Sequence, residues 1–340
     1  MVLLHGFPEL AYSWRKIMPA LAAAGYHVLA PDQRGSGRTS GSKISYDDEL
    51  APYRMLNLVG DIVALVRAFG LTSVHGIVGH DFGASVAAWC AVTRPDLFQS
   101  LALMSAPFGG VPAFPFNTAV DACPIPLADT MVNDLAALAR PRKHYQWYYS
   151  TRSAASDMGQ PSQGLHAFLR AYFHHKSADW HENCPQQLAG WRAEELVRMP
   201  TYYIMDLDET MPQTVAHEMP DSATIAANSW LSEDELTVYA SEYARTGFQG
   251  SLNWYRCRTT GRFDGELRLF DHRTIDIPSY FIAGASDWGV HQSPGAFDRM
   301  RTDALTDMRG CHLIEGAGHW IQQEQAEMTT RLLLEYLNEV

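Results

Sequence analysis

Gly79-His80-Asp81-Phe82-Gly83 stands between an apolar run at 74–79 and a run of small and apolar residues at 84–92. The first run reads as a strand and the second as a helix, and paired glycines around one central residue mark a turn too sharp for side chains on both flanks. A strand that must turn at once into a helix confines the chain to folds built from strand–turn–helix units. Apolar runs at 1–4, 26–30, 101–104, 280–283 and 313–314 read as further strands. Residues 14–24, with Ser13 as N-cap and Gly25 as stop signal, 54–69 and 322–337 read as helices. This alternation predicts an α/β fold with a mostly parallel sheet and helices on both faces. From 107 to about 265 clear strands give way to Trp- and Tyr-rich helical patterns, with Ser232-Glu233-Asp234-Glu235 as a capping box before a helix at 236–244. The expected organisation is a core of residues 1–106 and 266–340 interrupted by a helical cap, residues 107–265.

The identity of the central turn residue, Asp81, restricts the chemistry. A carboxylate attacking an ester would give an unstable anhydride. Attack on a saturated carbon that carries a leaving group gives an ordinary ester, which water can cleave later. Epoxides and alkyl halides are the expected electrophiles; the competing reading is an Asp that only caps the helix.

Other loops after strands supply partners for such a nucleophile. His319, in Gly316-Ala317-Gly318-His319-Trp320, follows the last strand and would act as general base, because imidazole titrates near neutrality. Asp287, in Gly284-Ala285-Ser286-Asp287-Trp288-Gly289, would orient His319 and stabilise its imidazolium. Asp298, Asp303 and Asp307 have no strand immediately before them and read as solvated surface charge. In the loop His5-Gly6-Phe7-Pro8-Glu9, the N–H of Phe7, together with that of Phe82, would point at the Asp81 carbonyl oxygen as it becomes an oxyanion. The turn Asp32-Gln33-Arg34-Gly35-Ser36-Gly37 reads as structural. The order Asp81, Asp287, His319 is nucleophile, acid, base, the chain order of α/β-hydrolases.

Composition removes several alternatives. Lys and Arg number 26 against 38 Asp and Glu, a net charge of −12, so the basic footprint of a nucleic-acid binder is absent. No apolar run reaches the roughly 18 residues of a membrane span. The first residues lack the basic n-region of a signal peptide. Five scattered cysteines, Cys90, Cys123, Cys184, Cys257 and Cys311, fit a reducing, cytoplasmic compartment better than a disulfide framework. His174-His175 and His181 with Cys184 match no closed metal site and read as helix-cap surface. No phosphate loop is present. Neither a metal nor a cofactor is expected.

These motifs resemble the epoxide hydrolases of the α/β-hydrolase superfamily, and the resemblance covers nearly the whole chain. Tyr145-Gln146-Trp147-Tyr148-Tyr149 resembles the first cap tyrosine segment of the soluble members, and Gly247-Phe248-Gln249-Gly250-Ser251-Leu252-Asn253-Trp254-Tyr255-Arg256 resembles the second. The resemblance implies that Tyr145 and Tyr255 hold the epoxide oxygen, with Tyr148 and Tyr149 as near rivals of Tyr145. It implies cofactor-free hydrolysis of a small apolar epoxide by water to a vicinal diol. The alternatives are a haloalkane or haloacid dehalogenase using the same Asp, His and Asp, and a catalytically silent or truncated relative. Two features depart from the family. Phe82 stands where Trp is common, which keeps the backbone N–H but removes the indole donor that dehalogenases of this fold use for halide. The sequence also begins inside the strand before His5, where family members carry an upstream β-hairpin. The strand at 26–30 is then expected at an open sheet edge, which invites pairing with another chain, a homodimer being one such arrangement.

Overall fold

The structure is a computed structural model and describes residues 1–41, 43–114 and 127–340. Five strands, β1 (Val2–Leu4), β2 (Ile77–His80), β3 (Leu101–Met104), β6 (Ser279–Gly284) and β7 (Met308–Ile314), form one sheet in the order β1-β2-β3-β6-β7. Every neighbouring pair in it is parallel. β1, β2, β3 and β6 are buried along their whole length, which is why they are mostly apolar runs, whereas β7 at the sheet edge is largely exposed. Successive side chains point to opposite faces. Val2, Leu4, Ile77, Leu101, Leu103, Phe281 and Ala283 pack with the helices Met55–Ala68 and Phe82–Thr93. Leu3, Val78, Ala102, Met104, Tyr280 and Ile282 pack with the helices Met18–Ala23 and Ala326–Asn338. Asp81, Asp287 and His319 and the loop from His5 to Glu9 all lie at the carboxyl ends of strands, where ligands of open α/β sheets bind.

Several elements differ from the sequence reading. The helix expected at 14–24 is a short 3-10 turn, Ala11–Trp14, followed by Met18–Ala23, whose start is set by Pro19 in its first turn. Ser13 caps nothing; its hydroxyl shares a hydrogen bond with that of Tyr239, 2.7 Å away in the cap. The strand expected at 26–30 is reduced to a bridge between Leu29 and Val2, with Val28 and Leu29 half-buried. The closing helix is two, Ile321–Glu324 and Ala326–Asn338, parted at Gln325. The cap is not purely helical: β4 (Arg142–His144) and β5 (Ile204–Asp206) form an antiparallel pair. Three residues each are too few to show a period of two. His175 is buried rather than on the surface, its ring edge-on to Trp180 and Tyr202 at 4.5 and 4.8 Å. The capping box forms as read, at the start of the helix Glu233–Thr246. Cys90, Cys184, Cys257 and Cys311 are free thiols, and Cys123 lies outside the described residues. No described helix is long and apolar enough to cross a membrane.

The glycines around Asp81 answer to sterics. Asp81 has φ 52° and ψ −120°, a strained conformation for a residue with a side chain. A Cβ on Gly79 would strike the Gly83 carbonyl, and one on Gly83 would strike the Leu4 and His5 carbonyls of the neighbouring strand end. Gly83→Ala should therefore lower stability by about 1–3 kcal/mol, since backbone on every side leaves no room to relax. Urea unfolding measures this, and a loss below a few tenths of a kcal/mol would contradict it.

Candidate active site

The β2–helix turn thrusts Asp81 upward, and the loop after β1 comes down on it so closely that a Cβ on Gly6 would overlap the Asp81 side chain. The Phe7 N–H donates to Asp81 Oδ1 at 3.0 Å. Asp81 Oδ2 lies 3.4 Å from His319 Nε2, and His319 Nδ1 lies 3.0 Å from Asp287 Oδ1. Asp287 Oδ1 also accepts the Gly289 N–H at 2.7 Å. The structure thus brings Asp81, Asp287, His319 and Phe7 together. Asp81 makes no side-chain cap bond to its helix. No hydrogen bond joins the Phe82 N–H to the carboxylate; the Phe82 ring stacks on Trp254 at 5.1 Å and meets Tyr255 edge-on at 5.6 Å.

Burial would raise the Asp81 pKa, but His319, Lys176 and His80 outweigh it and hold the carboxyl well below its ordinary value. Asp287 is likewise lowered against burial, by His319 and the Gly289 N–H. Behind Asp81 lies a second buried pair: His80 Nδ1 is 2.5 Å from Glu9 Oε2. His80 Nε2 is 2.7 Å from the His319 carbonyl. Carboxylate and carbonyl are both acceptors here, so both ring nitrogens carry hydrogen and His80 is an imidazolium. Its pKa is accordingly raised despite burial, and that of Glu9 is lowered. Glu9 also accepts from the side chains of Gln322 and Gln323.

The cap supplies the roof. The helix Gln249–Thr260 lands on the turn at 32–37. Gly250 meets Gly35 backbone to backbone, the Ser251 and Ser36 hydroxyls share a bond of 2.7 Å, and the Trp254 indole donates to the Arg34 carbonyl at 2.8 Å. This docking sets Tyr255 with its ring 5.7 Å from that of Phe7. Tyr145 opens the helix Tyr145–Tyr149, its ring 6.0 Å from Tyr255. Its hydroxyl donates to Gln292 Oε1 at 2.9 Å. Of the rivals, Tyr148 donates to Asp157 at 3.0 Å and Tyr149 shares a bond of 2.9 Å with Tyr172. Burial, with the charge of Asp81, raises the pKa of both Tyr145 and Tyr255, so both keep their protons at neutral pH. A cavity of about 410 Å³ reaches Phe82 and is lined mainly by rings and apolar chains, among them Trp89, Phe108, Trp254 and Leu267.

The chain matches the family model of the alpha/beta hydrolase fold over residues 1–326. It is 32% identical to Epoxide hydrolase B of Mycobacterium tuberculosis over 350 residues, covering 99% of this chain and 90% of that protein. The chain belongs to the epoxide hydrolases of the α/β-hydrolase superfamily. Among solved structures, an epoxide hydrolase from an endophytic Streptomyces superposes with a TM-score of 0.77 at 30% identity, over 99% of this chain and 88% of that one. Epoxide Hydrolase A from Mycobacterium thermoresistibile gives 0.73 at 28%, over 99% and 90%.

This member of the family holds its histidine loop with residues that the motif reading passed over. Lys176, in the cap, accepts the His319 N–H on its carbonyl at 2.9 Å. Its ammonium is buried among the rings of Tyr172, Tyr202, Tyr203 and Trp320, and burial lowers its pKa against the pull of Asp81, Asp287 and Glu9. Glu324 accepts three backbone N–H groups: Gly318 at 2.9 Å, Trp320 at 2.8 Å and Ala178 of the cap at 2.8 Å. A single carboxylate therefore clasps both neighbours of His319 and ties them to the cap. Its only sequence signal is a carboxylate five residues after His319. Glu9 and His80 lie inside the motifs His5–Glu9 and Gly79–Gly83, whose spacing alone gives neither of them a role. Among the described residues no group of three His, Cys, Asp or Glu is arranged to hold a metal ion. Glu324→Gln puts an NH₂ group where N–H donors converge, and should cost about 1–3 kcal/mol of stability. A melting curve unchanged from the parent would show that the clasp is not needed.

Proposed function

We propose that this chain hydrolyses an epoxide to a vicinal diol without a cofactor, through an ester formed on Asp81. The observation that carries the reading is a buried, ionised carboxylate with one oxygen on the Phe7 N–H and the other toward His319, roofed by two protonated tyrosines. Asp81 attacks a ring carbon, the carbon–oxygen bond of the epoxide breaks, and a tyrosine hydroxyl gives its proton to the departing oxygen. The product is a hydroxyalkyl ester. His319, oriented by Asp287, then takes a proton from water as the water oxygen attacks the ester carbonyl. The Phe7 N–H faces the oxygen on which negative charge gathers in that tetrahedral intermediate, a type of contact whose removal costs about 3–4 kcal/mol of transition-state energy. Collapse releases the diol and restores the carboxylate, and the proton held by His319 returns to the tyrosine. The resemblance to named epoxide hydrolases over nearly full length supports the same reading. The roof presents phenols, which suit a departing alkoxide that must be protonated. Phe82 supplies no ring donor of the kind that would hold a halide.

In His319→Gln the first half-reaction should proceed and the second stall. Intact-protein mass spectrometry after mixing with an epoxide should then show an adduct equal to the substrate mass. Full activity in Asp81→Asn, with deamidation excluded, would remove Asp81 from the nucleophile's role.

Tyr255→Phe should slow diol formation about 10²–10⁴-fold, and the double change with Tyr145→Phe should be nearly inactive while still folded. Halide release from alkyl halides that is insensitive to both changes would favour a dehalogenase instead.

A further inference from the structure

The two roof tyrosines are bonded unequally. Tyr145 donates its hydroxyl proton to Gln292 Oε1 at 2.9 Å and accepts from Gln146 Nε2 at 3.0 Å. The far end of the Gln292 amide fixes its orientation, because Nε2 donates to the Gly289 carbonyl at 3.3 Å. The Gly289 N–H in turn donates to Asp287 at 2.7 Å. A hydrogen-bonded line thus runs from the acid that orients His319 to the Tyr145 hydroxyl. The Tyr255 hydroxyl has no hydrogen-bond partner among the described residues, although the Tyr255 ring is buried against Phe7, Tyr145 and Tyr149.

A phenol has one O–H hydrogen. While that of Tyr145 rests on an amide oxygen, it cannot also point at a substrate oxygen, and redirecting it breaks a bond about as good as the one it makes. The Tyr255 hydrogen carries no such debt. We propose that Gln292 is a positioning residue that latches Tyr145 and leaves Tyr255 as the proton donor in ring opening. The inference rests on the epoxide reading above and divides its two tyrosines. As the bond from Asp81 to carbon forms and the epoxide carbon–oxygen bond breaks, the Tyr255 proton goes to the departing oxygen. Tyr145, held through Gln292 to the loop after β6, keeps its ring fixed as the wall against which the epoxide sits.

The test uses the full chain in the His319→Gln background, with styrene oxide as probe and adduct formation followed by quenched mass spectrometry. Tyr255→Phe should slow the adduct at least 10²-fold, and Tyr145→Phe less than tenfold. Adding Gln292→Ala frees the Tyr145 hydrogen, and the penalty of Tyr145→Phe should then grow by about tenfold, the worth of roughly one hydrogen bond. Gln292→Leu, closer in volume, should do the same, whereas Gln292→Glu keeps an acceptor and should leave the penalty as in the parent. A Gln292 that merely packs the loop would slow all these variants together and leave their ratios alone. A Tyr145→Phe penalty that changes less than threefold in both Gln292→Ala and Gln292→Leu overturns the latch while the epoxide reading stands. A parent that forms no adduct overturns both.

Discussion

Three carboxylates, Glu9, Asp81 and Asp287, are buried within one hydrogen-bonded cluster, and the rest of the site exists to keep them charged. An isolated buried carboxylate would neutralise itself by taking up a proton, and a neutral Asp81 could not serve as the nucleophile of the proposed reaction. The counterweights come from different parts of the chain: the His80 imidazolium beside Glu9, His319 between the two aspartates, and the Lys176 ammonium reaching in from the cap. Backbone N–H groups of Phe7 and Gly289 complete the balance without adding titratable groups. Taking away one partner of such a pair leaves the other buried and uncompensated, at about 3–5 kcal/mol.

That requirement explains why cap and core cannot be independent pieces. The His319 N–H ends on the Lys176 carbonyl, Glu324 grips Ala178 along with Gly318 and Trp320, and the Ser13 and Tyr239 hydroxyls pair across the same junction. On the opposite side the Gly35–Gly250 contact seats the helix that holds Tyr255. The aromatic residues that made the cap look helical and apolar in the sequence are the ones that close this junction. Phe173 and Trp320 lie 4.5 Å apart, and Tyr243 stacks on Phe248 at 4.2 Å, beside Phe7.

What could be read from the sequence followed from local rules. Asp81, Asp287 and His319 each sit just after an apolar strand, and the turn at Asp81 needs glycines that are visible as letters. The helices Met55–Ala68 and Phe82–Thr93 and the strand Leu101–Met104 also follow from periodicity and from stop signals a few residues away. What could not be read was set by partners distant in sequence. Leu29 pairs only with Val2, so the run at 26–30 never becomes a strand. Ser13 looks like a cap, but its partner is Tyr239, 226 positions later. Gln292 and Glu324 are a polar residue on a loop and an acid at a helix end; nothing in their immediate neighbours tells that one meets a tyrosine hydroxyl and the other the flanks of a histidine. Only resemblance to a family singles out Tyr145 and Tyr255, because no periodicity separates them from Tyr148 or Tyr149.

Under the proposed reading, the charge balance also accounts for the type of acid in the roof. A cation set above Asp81 to receive the departing oxygen would pair with the carboxylate in the resting state and blunt it. A further carboxylic acid would add a fourth to a cluster that already holds three. A phenol avoids both difficulties. It is neutral while it waits, burial and the Asp81 charge push its pKa up and keep the proton in place, and its hydrogen is surrendered only when an alkoxide forms beneath it. The ionised Asp81 thus itself helps to keep Tyr255 protonated. The raised pKa is offset at the moment of ring opening, when the negative charge leaves the carboxylate for the substrate oxygen. Phe82, stacked on Trp254 and edge-on to Tyr255, brings no ring donor of its own to the roof.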